Sequence, residues 1–136
     1  MHQEKTILFV DEIHRFSKSQ QDVILPHVED GTVKMVGDNT ENPSFEVIAP
    51  LLSRCRVFTM KPLTNGEIAD VVHRALADTE HGIGSLQLVL TDDAMEVLLH
   101  VSSGDARAAL NAIELVANLT TADRDGRRIV GREDLE

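Results

Sequence analysis

The first part of the chain alternates between short apolar runs and amphipathic stretches. The apolar run Thr6–Val10 predicts a buried parallel strand, because no polar residue interrupts it after Thr6. A capping-box pattern at Ser17 and Gln20 predicts a helix that begins there and ends at Gly31. The apolar spacing along this helix predicts the following inner face: Val23, Ile24, His27 and Val28.

Two further strands and a short helix are predicted before residue 63. Residues 32–36 and 56–60 are rich in β-favouring side chains, and both predict strands. Between them, Ser44 predicts the cap of a short helix that carries apolar residues. Strands that alternate with helices indicate βαβ units and a parallel sheet. The apolar residues of the short helix are Phe45, Ile48, Leu51 and Leu52.

After Pro62 the pattern predicts helices only. Helices are expected to begin at the capping box of Thr64 and Glu67, at Thr91, and at Asp105. Residues 86–90 predict a short extended piece, and residues 131–135 predict the first turn of another helix. We therefore expect an α/β domain over residues 1–63, followed by a small all-α domain over residues 64–136.

Composition limits the class of protein. The chain has 136 residues, of which 42% are hydrophobic and 26% charged, as in soluble globular proteins. No apolar run approaches the roughly 20 residues that a membrane span requires. The single cysteine, Cys55, excludes an internal disulfide and favours a reducing compartment, the cytoplasm or a nucleus.

Charge is distributed unevenly along the chain, whose net charge is −10. Residues 1–63 carry 7 Lys/Arg against 9 Asp/Glu, whereas residues 64–136 carry 6 against 14. This acidity argues against a large nonspecific nucleic-acid surface within these residues, because phosphate contacts need clustered Lys and Arg.

Two adjacent carboxylates follow the first predicted strand. Asp11 could organise Mg²⁺ through water at the strand end, and Glu12 could orient or deprotonate an attacking water. The simpler interpretation is a solvated acidic pair after a core strand. Residues 11–14 also spell the Asp-Glu-Ile-His box of some helicases, so this second chemical interpretation stays open. The phosphate-binding loop Gly-x-x-x-x-Gly-Lys-[Ser/Thr] is absent from the sequence.

Three further polar side chains are candidates for a nucleotide site. Thr40 follows the second predicted strand and could touch a γ-phosphate or a water, or it could be ordinary turn chemistry. Arg54 could be an arginine finger that reaches a neighbouring subunit, or simply a helix C-cap. Arg107, in the first turn of a helix, could contact phosphate or form a salt bridge to Asp105 or Glu114.

Several strings in the chain resemble one family of AAA+ proteins, the replication-associated recombination protein A family, which includes the Werner-helicase-interacting ATPase. The most specific strings are Lys18-Ser-Gln-Gln-Asp22 and Glu41-Asn-Pro-Ser-Phe45. The resemblance continues through residues 51–56 and 104–111 and covers essentially the whole chain.

The resemblance implies a role for each candidate residue. Asp11 and Glu12 match the Walker B pair, with Asp11 holding Mg²⁺ through water, and Thr40 matches sensor 1. Arg54 matches the arginine finger that acts in trans, and Arg107 matches the sensor 2 arginine of the helical lid. The implied cofactors are ATP and Mg²⁺. The implied fold is the C-terminal half of an AAA+ core, lacking the first strands of its parallel sheet, followed by a lid.

The resemblance also implies a cellular function. An ATPase of this family couples ATP hydrolysis to remodelling of DNA or replication proteins at stalled forks. The implied partners are copies of the same chain in a homo-oligomer, single-stranded or forked DNA, single-strand-binding protein and other replication proteins. The implied location is the cytoplasm, at the nucleoid in a bacterium, or the nucleus in a eukaryote.

The chain departs from the family in two ways. The family usually reads Gly-Ala-Thr-Thr-Glu-Asn-Pro where this chain has Asp38 and Asn39 in the second and third positions, and the Asp38 carboxylate is expected to disturb phosphate binding by repulsion. The family's phosphate-loop half and its C-terminal oligomerisation region have no counterpart in the chain. We therefore expect a truncated product with weak or no activity alone. The alternatives are a non-catalytic interaction fragment and a fragment of a helicase.

Overall fold

The computed structural model describes residues 4–136 and divides the chain into two compact units, Met1–Thr59 and Met60–Glu136. The division falls four residues before the domain boundary predicted from the sequence, which lies after Leu63. The assignment of these units to an ATPase core and its lid stays a prediction.

The first unit is built on a parallel pair of strands. Strand β1 (Thr6–Val10) pairs with strand β2 (Val33–Gly37) in a register that sets Thr6 opposite Val33 and Val10 opposite Gly37. Helix α1 (Lys18–Glu29) makes the crossover between them, so the segment is one βαβ unit. Both strands and the helix are confirmed within one or two residues of their predicted bounds.

The predicted burial of β1 is wrong for most of the strand. Only Val10 is buried, whereas Ile7 and Phe9 are 67% and 63% exposed. A parallel strand is buried on both faces only when other layers cover both faces of its sheet. In residues 4–136 the sheet of β1 has two strands, and this coverage is incomplete.

Helix α1 begins with the predicted capping box, in which Ser17 and Gln20 exchange side-chain and backbone hydrogen bonds. Its inner face differs from the prediction, because Val23 is 69% exposed and His27 is exposed as well. The fully buried residue of the helix is Gln21, and Ile24, Leu25 and Val28 are partly buried beside it.

Gln21 is buried because all of its polar atoms are paired. Its Nε2 donates to the backbone oxygens of Phe16 and Glu46 at 3.2 and 2.8 Å, and its Oε1 accepts from the backbone N–H of Ile48 at 2.9 Å. A buried amide costs little once its hydrogen bonds are made. One polar side chain thus ties α1 to the segment after β2.

That segment holds two short helices rather than one, α2 (Pro43–Glu46) and α3 (Ala49–Leu52). The cap of the first is Asn42, which accepts from the N–H of Ser44, so the prediction of Ser44 as the cap is wrong. These helices complete the buried core of the first unit: Val10, Ile13, Val47 and Leu51.

The strand predicted at residues 56–60 is not formed. These residues are exposed and make no ladder with another strand of the described chain. An extended segment becomes a strand only when a neighbour accepts and donates its backbone hydrogen bonds.

The second unit contains the three predicted long helices, α4 (Asn65–Ala77), α5 (Asp92–Ser102) and α6 (Ala106–Leu119). Each begins at its predicted cap, Thr64, Thr91 and Asp105. Their apolar faces form the core of this unit, and a second cluster adjoins it. The buried residues of the two clusters are Ile68, Val72, Leu98, Ala109 and Ile113, and Leu88, Ala94, Val116, Ala117 and Val130.

The second unit is not purely helical, which corrects the prediction. Strand β3 (Leu88–Leu90) pairs in parallel with strand β4 (Arg128–Val130). Arg128 helps to hold this strand pair in place, because its guanidinium donates to the backbone oxygens of Thr120 and Leu86 at 3.1 and 2.9 Å. The turn predicted to follow is a short 3-10 helix, Arg132–Asp134. None of the helices in residues 4–136 is long and apolar enough to cross a bilayer.

Candidate functional site

The polar candidates of the first unit meet at the carboxyl ends of β1 and β2. Val10 and Gly37 are paired in the ladder, so the residues that follow them leave the sheet side by side. Asp11 and Glu12 come from one strand and Asp38, Asn39 and Thr40 from the other. Carboxyl ends of parallel strands are where ligands bind in open α/β sheets.

The carboxylate of Asp11 is exposed. Within residues 4–136 it takes part in no hydrogen bond or ion pair of the structure. Both of its oxygens are therefore available to a ligand. Mg²⁺ bound to nucleotide phosphates typically uses one or two carboxylates together with water.

Glu12 is held in place at both its backbone and its side chain. Its backbone is left-handed, with φ 50° and ψ 64°, a region that residues other than glycine seldom adopt. Its N–H donates to Oδ1 of Asp38 at 2.5 Å, and its Oε2 lies 2.6 Å from Nε of Arg15. The side chain proposed to orient water is thus ion-paired.

Asp38 connects the two strand ends by three hydrogen bonds. In addition to its side-chain contact with Glu12, its N–H donates to the oxygen of Val10 at 3.1 Å, and its oxygen accepts from the N–H of Ile13 at 3.0 Å. The carboxylate expected to repel phosphate therefore has a partner within the protein. The sequence had no signal for this contact.

Asn39 is a polar residue of this edge that sequence reasoning did not select. Its Oδ1 lies 2.5 Å from Nδ1 of His14 and accepts from the N–H of Glu41 at 3.3 Å. Its Nδ2 is buried and, within the described residues, has no hydrogen-bond partner. An unpaired buried donor is costly unless a ligand or water satisfies it. Thr40, the predicted sensor, is exposed beside it.

Arg54 lies in the same unit, just after helix α3. Its Nη2 is 2.7 Å from Oε1 of Glu29, at the end of α1, and its Nη1 donates to the oxygen of Pro50 at 2.8 Å. The contact with Pro50 is the helix-capping interaction that the sequence left open. Both partners of the ion pair are more than 40% exposed, so the pair contributes little to stability.

Arg107 belongs to the second unit, in the first turn of α6. The helix is capped by Asp105, whose carboxylate accepts from the backbone N–H groups of Arg107 and Ala108. The guanidinium itself forms no ion pair with a carboxylate of residues 4–136, so the predicted salt bridge to Asp105 or Glu114 is not observed. Its predicted role as sensor 2 stays open.

A reactive cysteine and a metal centre built from protein side chains alone find no support in the described part of the chain. Burial raises the pKa of the Cys55 thiol, which lowers the fraction of reactive thiolate at neutral pH. Among residues 4–136, no group of three or more His, Cys, Asp or Glu side chains is placed to hold a metal by itself. A cation at Asp11 would need further ligands from a nucleotide and water.

Comparison with known proteins shows which family the chain is similar to. Residues 84–136 match the model of the AAA C-terminal domain. Replication-associated recombination protein A of Haemophilus influenzae is 50% identical to the chain over 125 residues, which cover 92% of the chain and 28% of that protein. The predicted family resemblance is confirmed.

Two more relatives agree with this family. The Escherichia coli K12 replication-associated recombination protein A is 46% identical over 129 residues, covering 95% of the chain and 29% of that protein. A Dictyostelium discoideum protein named ATPase WRNIP1 is 45% identical over 112 residues, covering 82% of the chain and 13% of that protein. The chain thus spans less than a third of the length of these curated relatives.

The family and the fold are consistent with each other. A parallel βαβ unit followed by a mainly helical unit is the arrangement expected for part of an AAA+ core and its lid, and the predicted fold class is confirmed apart from the β3–β4 pair.

Proposed function

We propose that the strand ends of the first unit form the magnesium and water side of an AAA+ ATPase site. In this proposal, ATP hydrolysis drives remodelling of DNA or replication proteins at stalled forks. The observation that carries the proposal is the juxtaposition of Asp11, with its unpaired carboxylate, and Asn39, with its unpaired buried amide nitrogen, at one sheet edge. The relatives named as a recombination protein and as an ATPase support it.

Each polar residue at the carboxyl ends of β1 and β2 is proposed to have its own role in hydrolysis. Mg²⁺, when bound, would neutralise charge on the transferred phosphoryl group. Asp11 would hold the waters of that ion through its free oxygens. Glu12 accepts a proton from, or aligns, the attacking water once its carboxylate is released from Arg15. Asn39 donates from Nδ2 toward the reacting phosphate or water, with Thr40 beside it.

Arg54 and Arg107 are proposed to complete the site from outside this edge. Arg54 would act on a nucleotide of the neighbouring subunit in a homo-oligomer, after leaving Glu29. Because that ion pair is exposed, releasing it costs at most about 1 kcal/mol. Arg107 would contact phosphate from the lid, and its lack of an ion pair within residues 4–136 is compatible with that role.

The nucleotide phosphates must be held by a segment with a Gly-x-x-x-x-Gly-Lys loop, which this sequence does not contain. We therefore propose that the chain acts together with such a segment, and that its partners are DNA, single-strand-binding protein and other replication proteins in the cytoplasm or nucleus. A non-catalytic interaction fragment is the competing proposal, and the absent loop is the observation in its favour.

A segment exchange tests these proposals. The stretch of the Escherichia coli relative that matches this chain over 129 residues is replaced by the residues of this chain. ATP turnover of the chimera is compared with that of the parent protein. We expect turnover similar to the parent, and a loss of about 10²–10⁴-fold with Glu12→Gln at nearly unchanged ATP affinity. Asp11→Asn is expected to raise the Mg²⁺ concentration needed for half-maximal turnover.

The control is Asp22→Asn, a carboxylate-to-amide change on the exposed side of α1, which should leave turnover unchanged. The 136-residue chain alone should show no turnover. A folded chimera whose turnover does not respond to Glu12→Gln would contradict the catalytic proposal and favour the interaction fragment. Turnover of the isolated chain at the rate of the parent would contradict its dependence on a second segment.

A further inference from the structure

The most unusual backbone of the candidate site is the left-handed turn at Glu12. Glu12, Gln87 and Ser103 are the residues other than glycine that have a positive φ in the described chain. A left-handed conformation of such a residue is unfavourable and persists only when surrounding contacts hold it. At Glu12 the turn decides in which direction its carboxylate leaves the end of β1.

The contacts that hold this turn come from Asp38. Its backbone closes the ladder on either side of the turn, through Val10 and Ile13. Its side chain closes the turn itself, since Oδ1 accepts the N–H of Glu12 at 2.5 Å. A hydrogen bond from an N–H to a carboxylate is stronger than one to a neutral acceptor. The two backbone bonds are possible with any residue except proline at position 38, whereas the third depends on the side chain.

We propose that Asp38 is a positioning residue for Glu12: its carboxylate fixes the left-handed turn that aims the Glu12 side chain at the attacking water. This inference rests on the proposed function of Glu12. Asp38 thus makes a side-chain hydrogen bond that the alanine of the family pattern could not make at this position. The Arg15 ion pair holds the side chain of Glu12, and Asp38 holds its backbone.

The first arm of the test measures the hydrogen bond in the 136-residue chain by NMR. With Asp38→Ala, the Glu12 amide proton should move upfield and exchange with water about tenfold faster, because one charge-assisted bond is lost. With Asp38→Asn, an acceptor oxygen remains, and exchange should rise by only about threefold. Unchanged Glu12 amide signals in Asp38→Ala would overturn the proposal.

The matched control is Asp30→Ala in the same unit. Asp30 also accepts a backbone N–H through its side chain, that of Thr32 at 2.8 Å. This variant should change the Thr32 amide and leave the Glu12 amide and ATP turnover unaffected. It separates the loss of a local turn contact in general from the loss of the contact at Glu12.

The second arm measures turnover in the chimera. Asp38→Ala should lower kcat by about three- to tenfold with little change in KM for ATP, because a misaimed group costs rate rather than binding, and the loss is modest because the family pattern itself has alanine at this position. Asp38→Asn should restore most of kcat. A faster Glu12 amide exchange with unchanged kcat would show that Asp38 is structural only, and would overturn the positioning role. A chimera without any turnover would instead refute the proposed function, while the NMR arm would still decide whether Asp38 holds the turn.

Discussion

The two units of the chain bury apolar surface to different extents. The second unit packs three helices and a strand pair around two adjoining clusters of five buried residues each. The first unit has a single cluster of four, and its strands leave large apolar side chains in solvent. The most exposed apolar residues of the first unit within α1, α2 and the sheet are Phe45, Val23, Ile7 and Phe9.

This difference shows that each unit is stabilised internally by a different kind of interaction. In the second unit, apolar burial supplies the main stabilising term, as in ordinary small domains. In the first unit, which has one smaller apolar cluster, a buried amide at Gln21 and the backbone bonds of Asp38 add polar links between the same elements. The region proposed to carry chemistry is thus the one with the smaller core, a common compromise between stability and function.

The largest expected effect is a cavity in the second unit. Leu98 is fully buried among three helices, so Leu98→Ala should destabilise this unit by about 2–5 kcal/mol. Because the chain has no Trp or Tyr, hydrogen exchange measured peptide by peptide is the appropriate readout. The control is Leu119→Ala, at a position 73% exposed, which should change stability by less than about 0.5 kcal/mol. Equal loss of protection in both units would mean that they unfold as one body and would contradict the comparison.

A smaller effect is expected from the buried amide of the first unit. Gln21→Leu keeps the volume but leaves the backbone groups of Phe16, Glu46 and Ile48 without their partner. Each unpaired group costs about 1–3 kcal/mol where water cannot reach it. Because Phe16 is 37% exposed and Glu46 and Ile48 are only partly buried, water offsets part of this cost, and a loss of about 2–3 kcal/mol is expected, confined to the first unit. The same exchange measurement reports it, with the exposed Ser19→Ala as control. Full retention of protection in α1 would show that apolar packing alone suffices there.

The smallest effect is the response to acid. Four carboxyl groups of the second unit have a lowered pKa because backbone or side-chain groups donate hydrogen bonds to them. Among residues 4–59, the carboxyl group with a lowered pKa is that of Asp30, which accepts hydrogen bonds from Thr32. A lowered pKa stabilises the fold above the unfolded value, near pH 4, and that contribution is lost as the pH falls through the folded value. The four groups are Glu67, Asp78, Asp93 and Asp123.

We therefore expect the urea midpoint of the second unit to fall between pH 6 and pH 3, and to fall more than that of the first. Asp78 accepts from the N–H groups of Glu80 and His81, so Asp78→Asn should reduce the slope. Asp70→Asn, on the exposed side of α4, should leave the slope unchanged. If the urea midpoint of the second unit did not change between pH 6 and pH 3, the two units would not differ in acid sensitivity as expected here.

Elements whose signals are local were predictable from the sequence. The helix starts at Ser17, Thr64, Thr91 and Asp105 are confirmed, because a cap and the N–H groups that it accepts lie within three residues of one another. Elements that depend on distant partners were not. Gln21 is buried by groups up to 27 residues away, and strand β4 is three residues long and forms only against β3.

The same distinction holds within the candidate site. The apolar run before Asp11 identified a strand end, and the parallel pairing that joins it to residues 38–40 follows from a short crossover. The contacts from Asp38 to Glu12, from Asn39 to His14 and from Arg54 to Glu29 span 25 residues or more. No periodicity or spacing rule in a single sequence encodes such side-chain pairs.

The pairing of β3 with β4 has a consequence for the order of events during synthesis. Strand β3 and helices α5 and α6 precede β4 along the chain and so leave the ribosome before it, and the contact from Leu86 to Arg128 closes a loop of 42 residues. The nascent helices can form early, but the cluster around Leu88 and Val130 stays open until the last strand arrives. A pause in translation that delays the emergence of residues 128–130 would therefore prolong a state that exposes this apolar cluster to chaperones and proteases.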